Sequence, residues 1–201
     1  MGDDQAPLDL HPIDLHPVDL HRVLPEEWEA HRRVRLEMLL DAPDAFWTTH
    51  AEAAAMDEAQ WRARISTTFH VMATLEAVPV GSVGMWSGPD PDPDVAHLIA
   101  MYVAPPVRGQ GVGERLVAAV LDEAVARGHR RVVLEVTGNN APAIALYTRM
   151  GFQPTGVRRS HPRRGDLQEL EMVWTAPGEA GDAGDAGDAA SPGPGSSGVP
   201  I

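Results

Sequence analysis

The spacing of apolar residues divides the middle of this chain into helices and strands. In "PEEWEAHRRVRLEMLLDAP" apolar residues recur at helical spacing after an acidic start, between Pro25 at the opening and Pro43 beyond the end; this predicts a first helix. "DEAQWRARIS" predicts a second, shorter one. "HVMATLE" and "VPVGSVGMWS" are strand-like, joined by a short turn at Glu76 and Ala77. "GPDPDPD" is a loop by composition. "VAHLIAMYVA" predicts a buried strand, "GVGERLVAAVLDEAVARG" a helix closed by Gly128, and "RRVVLEV" another strand. "NAPAIALYTRMG" predicts a last helix closed by Gly151, before an antiparallel pair from "FQPTGVRR" and "QELEMVW". With a strand at the start, the order is β-α-α-β-β-β-α-β-α-β-β. This is a mixed α/β plan, with meandering strands early and a βαβ unit late.

The two ends break the pattern. The tail "GEAGDAGDAGDAASPGPGSSGVPI" cannot bury enough apolar surface to offset its chain entropy, so residues 176–201 are expected to be disordered. The opening "DLHPIDLHPVDLHRV" repeats a five-residue unit that brings His11, His16 and His21 at equal intervals. Five matches neither the strand nor the helix period, and Pro12 and Pro17 block a helix. Three histidines and three aspartates could be imagined around a metal; a duplicated extended arm is the simpler expectation, and no metal is expected. The third copy, Val18 to Leu24, predicts the first strand. The domain is therefore expected over residues 18–175, behind an arm over 1–17.

Composition narrows the function. The net charge of −13 is concentrated at the ends, and the middle holds 20 acids against 16 arginines. That balance argues against nucleic acid as a partner, which would want a basic face. There is no cysteine, so disulfide and thiolate chemistry are both excluded for this chain. No apolar run is long enough to span a membrane, and the acidic "MGDDQAPLDL" is unlike a signal peptide, so a soluble cytoplasmic protein is expected, with no membrane partner.

The chemistry concentrates in "VAPPVRGQGVGERL", where Gly109, Gly111 and Gly113 stand between a strand and a helix. Unpaired backbone N–H groups and the positive end of the helix dipole make such a turn an anion site. A phosphate-binding loop of the Lys-Ser/Thr type fails, because Glu114 and Arg115 follow the last glycine. The dinucleotide fingerprint is a weak match, with the wrong glycine spacing and Glu114 where its third glycine belongs, although an acid, Glu135, lies on the following strand. A glycine-rich turn without a ligand is the plain alternative.

Arg108-x-x-Gly111-x-Gly113 after an apolar strand resembles the pyrophosphate-binding signature of the GNAT superfamily of acetyl-CoA-dependent N-acetyltransferases. A second match follows in "NAPAIALYTRMGF", with Asn140, Ala143, Tyr147, Gly151 and Phe152 at the family's spacing. The resemblance covers roughly Val18 to Trp174 and leaves both tails outside. It implies a mixed α/β GNAT fold: a central, mostly antiparallel sheet with a splayed parallel strand pair, flanked by helices. It also implies an acyltransferase that moves acetyl from acetyl-CoA to an amine, with no metal. Direct attack in a ternary complex is implied too, since no cysteine can carry the acetyl group. Candidate acceptors are a small primary amine such as an amino-acid derivative, an antibiotic amine, or a protein N-terminus. A non-catalytic acyl-CoA sensor is the rival from another class. Family members are often dimers, so a homodimer is one expectation.

The resemblance also implies roles. Arg108, Gly109, Gln110, Gly111, Val112 and Gly113 would cradle the pyrophosphate, chiefly through backbone N–H groups. Met101, Tyr102 and Val103 would pair with the pantetheine arm at the splay, and Asn140 would contact the coenzyme or cap its helix. Tyr147 would protonate the departing thiolate. The base is open between His97, near the position where relatives carry Glu, and Glu135 on the neighbouring strand. Phe46, Trp47 and Trp86 would line the acceptor pocket, with Asp44, Arg158 and His161 near it.

Overall fold

A computed structural model describes residues 18–88 and 92–178. The whole arm over 1–17, with the first two histidines of the repeat, and the tail from residue 179 lie outside the described residues. Strand β1 (Asp19–Arg22) leads into three helices, α1 (Trp28–Asp41), α2 (His50–Ala54) and α3 (Glu58–Thr67). Three strands follow: β2 (Phe69–Leu75), β3 (Val78–Trp86) and β4 (Val95–Val103). Helix α4 (Val112–Ala126) then leads to β5 (Arg131–Thr137), α5 (Ala141–Arg149), β6 (Gln153–His161) and β7 (Arg164–Thr175). The seven strands form one sheet in the order β1-β2-β3-β4-β5-β7-β6, antiparallel except for β4 beside β5. The mixed α/β fold with a parallel strand pair is the one expected from the sequence.

Both faces of the sheet are covered, which is why β2 and β4 read as apolar runs rather than alternations. On one face α4 and α5 pack over Val71, Ala73, Leu98, Leu134 and Val136. The apolar stripe of α4 (Val112, Leu116, Val117, Val120, Leu121, Ala124) follows the helical period and is buried throughout. On the other face Val34 and Met38 of α1 and Ile65 of α3 meet Met72 and Ile99. The chain turns from β2 into β3 through Glu76 and Ala77, both at positive φ (49° and 64°), the conformation of the tightest hairpin turns.

Two local features open the centre of the sheet. The β4–β5 pairing ends after three residues, at His97 opposite Val133. Beyond it β5 pairs only with β7, down to Thr137 opposite Glu169. Meanwhile β4 carries a bulge: Ser82 faces Tyr102 and Gly84 faces Ile99, so one extra β4 residue is accommodated, and Ala100 there adopts φ 53°. A bulge bends its strand and raises the local twist. From Leu98 to Val103, β4 therefore departs from β5 and leaves that backbone edge without a strand partner.

Candidate functional site

A cavity of about 610 Å³ occupies the gap between β4 and β5. Its walls come from Leu98–Val103 on one side and Glu135–Thr137 on the other, with α5, the turn before α4 and the loop after α1 closing the ends. The site thus exists because the bulge separates two parallel strands whose outer neighbours hold them in one sheet.

The glycine turn forms one end. Gly109 and Gly111 sit at φ 75° and 79°, and a Cβ at either would meet nothing within 4 Å. Glycine is required there for the left-handed backbone, which aims the loop outward. Gly113 has a different reason: a Cβ would come within 3.1 Å of Leu146 and 3.5 Å of Met101, so its absence lets α4 approach α5 and β4. Gly111 caps α4 without a side-chain hydrogen bond, and the N–H groups of Val112, Gly113 and Glu114 have no carbonyl one turn earlier to bond. Val112 itself is buried in the core, so it can offer a ligand only its backbone. Gln110 reaches back to the Pro106 carbonyl at 3.1 Å. Arg108 is half-exposed; its Nε donates to the Val103 carbonyl at 2.9 Å and its terminal nitrogen to Asp41 at the end of α1. The guanidinium therefore ties the turn to β4 and α1 while lining the cavity.

Helix α5 supplies the other end. Asn140 accepts from the Ala143 N–H at 3.2 Å and so caps the helix, and it also lines the cavity. At the far end Gly151 takes φ 92°, and the Phe152 N–H returns to the Tyr147 carbonyl at 3.0 Å. This is a helix-closing motif in which the residues three before and two after the cap pack together; here their rings lie 5.7 Å apart. The Gly151-Phe152 pair thereby locks Tyr147, whose side chain lines the cavity. Burial pushes its phenol well above the ordinary value, so the proton stays on.

The carboxylates stand on the opposite face, where His97, Ile99, Glu135 and Thr137 share the α1 side of the sheet. Glu135 lines the cavity, and burial raises its carboxyl against the opposing pull of His97 and Arg159. His97 is outside the cavity lining; its ring tilts against Trp86 at 5.4 Å. Trp86 is likewise displaced from the lining, whereas Phe46 and Trp47 are part of it. The structure therefore brings together Met101–Val103, Arg108, Gly109, Gly113, Glu135, Asn140, Tyr147, Phe46 and Trp47, and leaves His97, in the still-paired start of β4, and Trp86, on β3, outside the lining. Arg158 is exposed on β6, and His161 is buried with its Nδ1 accepting from the Arg163 N–H at 3.2 Å. Asp44 pairs with Arg164 at 2.5 Å at the hairpin.

Glu169 was missed from the sequence. It is buried, lines the cavity beside Thr137, and accepts from the Trp47 indole N–H at 2.8 Å, with His161 Nε2 at 4.0 Å. The alternation in "QELEMVW" placed Glu169 and Glu171 on one strand face; only the β5–β7 register puts that face beside Glu135.

A family model described as "Acetyltransferase (GNAT) family" matches residues 33–152. The "[Ribosomal protein bS18]-alanine N-acetyltransferase" of Escherichia coli (strain K12) is 36% identical over 84 residues, covering 42% of this chain and 57% of that protein. The chain thus matches little more than half the length of that relative. An acetyltransferase of the GNAT family from Streptococcus pneumoniae superposes with a TM-score of 0.70 at 16% identity, over 79% of this chain and 99% of its own. The yncA protein of Salmonella typhimurium, solved with acetyl-CoA, gives 0.66 at 20% identity, over 87% and 99%. At those identities the two structures speak for the fold.

Proposed function

Because the chain belongs to the GNAT acetyltransferase family, we propose that it transfers acetyl from acetyl-CoA to a primary amine in the cleft between β4 and β5. The observation that carries this is the joining of three features in one 610 Å³ cavity: a glycine-rich helix start, a β4 edge without a strand partner, and the Tyr147 phenol with the Glu135 carboxylate. The free N–H groups at the start of α4 suit a pyrophosphate, and the open edge at Met101–Val103 suits an amide-bearing arm. Acetyl-CoA supplies an acyl carbon with a thiolate leaving group.

The residues divide the proton work. Glu135, ionised, takes the proton of the acceptor ammonium, directly or through one water. The amine nitrogen then forms a bond to the acyl carbon as the carbon–sulfur bond breaks, and Tyr147 donates its phenolic proton to the departing sulfur; the second proton, shed by nitrogen as the amide forms, returns through solvent to the Tyr147 phenolate. Glu135 is preferred to His97 because it reaches the cavity and its raised pKa improves it as a base. Glu169, held by Trp47, gives the acceptor side a second carboxylate, which suits a cationic acceptor. Such an acceptor is a small molecule, an amino-acid derivative or an antibiotic amine. A protein N-terminus is the second reading, favoured by the partial likeness to the ribosomal-protein alanine acetyltransferase.

Thiol release from acetyl-CoA, measured against a panel of small amines and of peptides beginning with alanine, tests the proposal. Amine-dependent release supports it, and the better acceptor class decides between the readings. Tight acetyl-CoA binding with no release for any amine would favour a non-catalytic acyl-CoA sensor.

A further inference from the structure

Behind the Phe46 wall of the cleft lies a group of polar side chains that the proposed reaction does not use. His31 and Arg35 stand four residues apart on α1, Trp61 and Arg64 three apart on α3, and His70 on β2, so all five converge between these elements. His31, Arg35, Trp61 and His70 are each 2% exposed or less. The two imidazoles lie 4.4 Å apart, and the His31 ring meets the Trp61 indole edge-on at 5.9 Å. Room for the His70 ring comes from Gly84 on β3, where a Cβ would stand 3.0 Å from it.

The charge of this group does not balance. Neither Arg35 nor Arg64 has a carboxylate within ion-pair distance among the described residues. Arg35 finds only the Met38 sulfur at 3.5 Å and the face of Phe46 at 5.3 Å. Both ring nitrogens of His31 and of His70, one terminal nitrogen of Arg35, the Arg64 Nε and the Trp61 indole nitrogen are buried without a hydrogen-bond partner among the described residues. The arginine and indole nitrogens are donors, and each imidazole can turn one N–H toward a shared ligand by choice of tautomer. A buried guanidinium is too costly to keep without a counter-charge, and the described residues supply none here.

We propose that His31, Arg35, Arg64 and His70 form an internal binding site for one small inorganic anion of the halide type. The two guanidinium charges of Arg35 and Arg64 set the sign of the site against a metal cation and in favour of an anion. Burial of His31, Arg35 and His70 to 2% exposure or less favours a single small ion over a ligand with an organic body. Burial first, and then the positive charge of Arg64 and Arg35, depresses both imidazoles, and burial and Arg64 depress Arg35; that charge is the field an anion would relieve. The bound ion would fix the Arg35 guanidinium against Phe46, and through it the acceptor wall of the cleft. The inference stands apart from the acetyl-transfer reading, since it concerns a different set of residues and is tested without turnover.

Chloride is the probe. Thermal melts of the full chain in sodium chloride and in sodium gluconate, at equal ionic strength, should differ. Chloride should raise Tm saturably, by roughly 5–10 °C at a hundredfold excess over Kd. Arg35→Met should abolish the difference, while Arg33→Gln, which removes an exposed charge from the same helix, should retain it. Should Arg35→Met fail to fold, a bromide-soaked crystal of the native chain gives the answer through an anomalous peak among the four side chains. Equal melts in the two salts, loss of the response in Arg33→Gln, or ordered water without bromide at that place would each overturn the proposal.

Discussion

Tyr147→Phe removes one hydroxyl from the cleft and leaves its walls in place. The ring stays packed on Phe152 at 5.7 Å, held by the Gly151 turn and the Phe152 N–H bond to its carbonyl, so Tm and acetyl-CoA affinity should hardly change. If the phenol protonates the leaving sulfur, the turnover number should fall by about 10²–10⁴, equivalent to about 3–5 kcal/mol of lost transition-state stabilisation. Burial raises the phenol above its ordinary value, so it stays protonated from about pH 6 to 9 and no basic limb belongs to it in that range. The assay is steady-state thiol release across that range, beside a calorimetric titration of acetyl-CoA. The loss should lie in kcat at every pH, with the Kd for acetyl-CoA intact. Full activity in the variant would refute the assignment. A large drop in Tm with proportionate loss of binding would instead show that the hydroxyl serves packing.

Glu135→Gln should remove the acidic limb of the pH–rate profile, and in the native chain that limb should lie above the ordinary glutamate value, because burial raises the carboxyl; His97→Ala should keep the limb, and its loss there would make the histidine the base. Gly113→Val places a branched side chain against Leu146, 3.1 Å from the Cβ position, and should cost about 1–3 kcal/mol in denaturant melts, whereas no loss would show that α4 and α5 are not in close contact there. In chloride-free buffer stability should fall with acid: His31 is pulled down to about 3 and His70 well below its ordinary value, so the unfolded chain binds protons near pH 6.5 that the folded chain refuses. Stability is then fully present above about pH 6.5 and declines toward pH 3, by about 1.4 kcal/mol per pH unit for each histidine; urea titrations at pH 7 and 5 check this, and a flat profile would place both rings in water.

Much of the fold was legible because its signals are local. The first strand at the third His-repeat copy, the turn at Glu76–Ala77, and the helix ends at Gly128 and Gly151 all appear as expected, since each depends on a few adjacent residues. Helix α2 was not expected from the sequence: its one signal is the Thr49–Glu52 capping box, with Glu52 N–H to Thr49 Oγ1 at 3.2 Å and Thr49 N–H to Glu52 at 2.8 Å, and five residues inside an aromatic-rich loop are too short to show a period. The bulge at Ala100 was not legible, because an alanine at positive φ carries no mark in the sequence and is imposed by the β3 register. Glu169 was hidden for a similar reason: its closeness to Glu135 depends on pairing across 34 residues of chain. The His31–Arg35 group was concealed by its own polarity, since polar positions on α1 read as a solvent face until α3 and β2 close over them.

The occupant of the cleft is tested most directly by calorimetric titration of the native chain and of Gly111→Val with acetyl-CoA and with S-acetylpantetheine, which lacks the pyrophosphate. Acetyl-CoA should bind the native chain at least about tenfold more tightly than S-acetylpantetheine, since backbone hydrogen bonds to a charged group contribute about 1.5–3 kcal/mol. In Gly111→Val that advantage should vanish, with S-acetylpantetheine affinity unchanged. Equal affinity of the native chain for the two ligands, or binding of neither, would contradict the assignment of the glycine turn and of the cleft it closes.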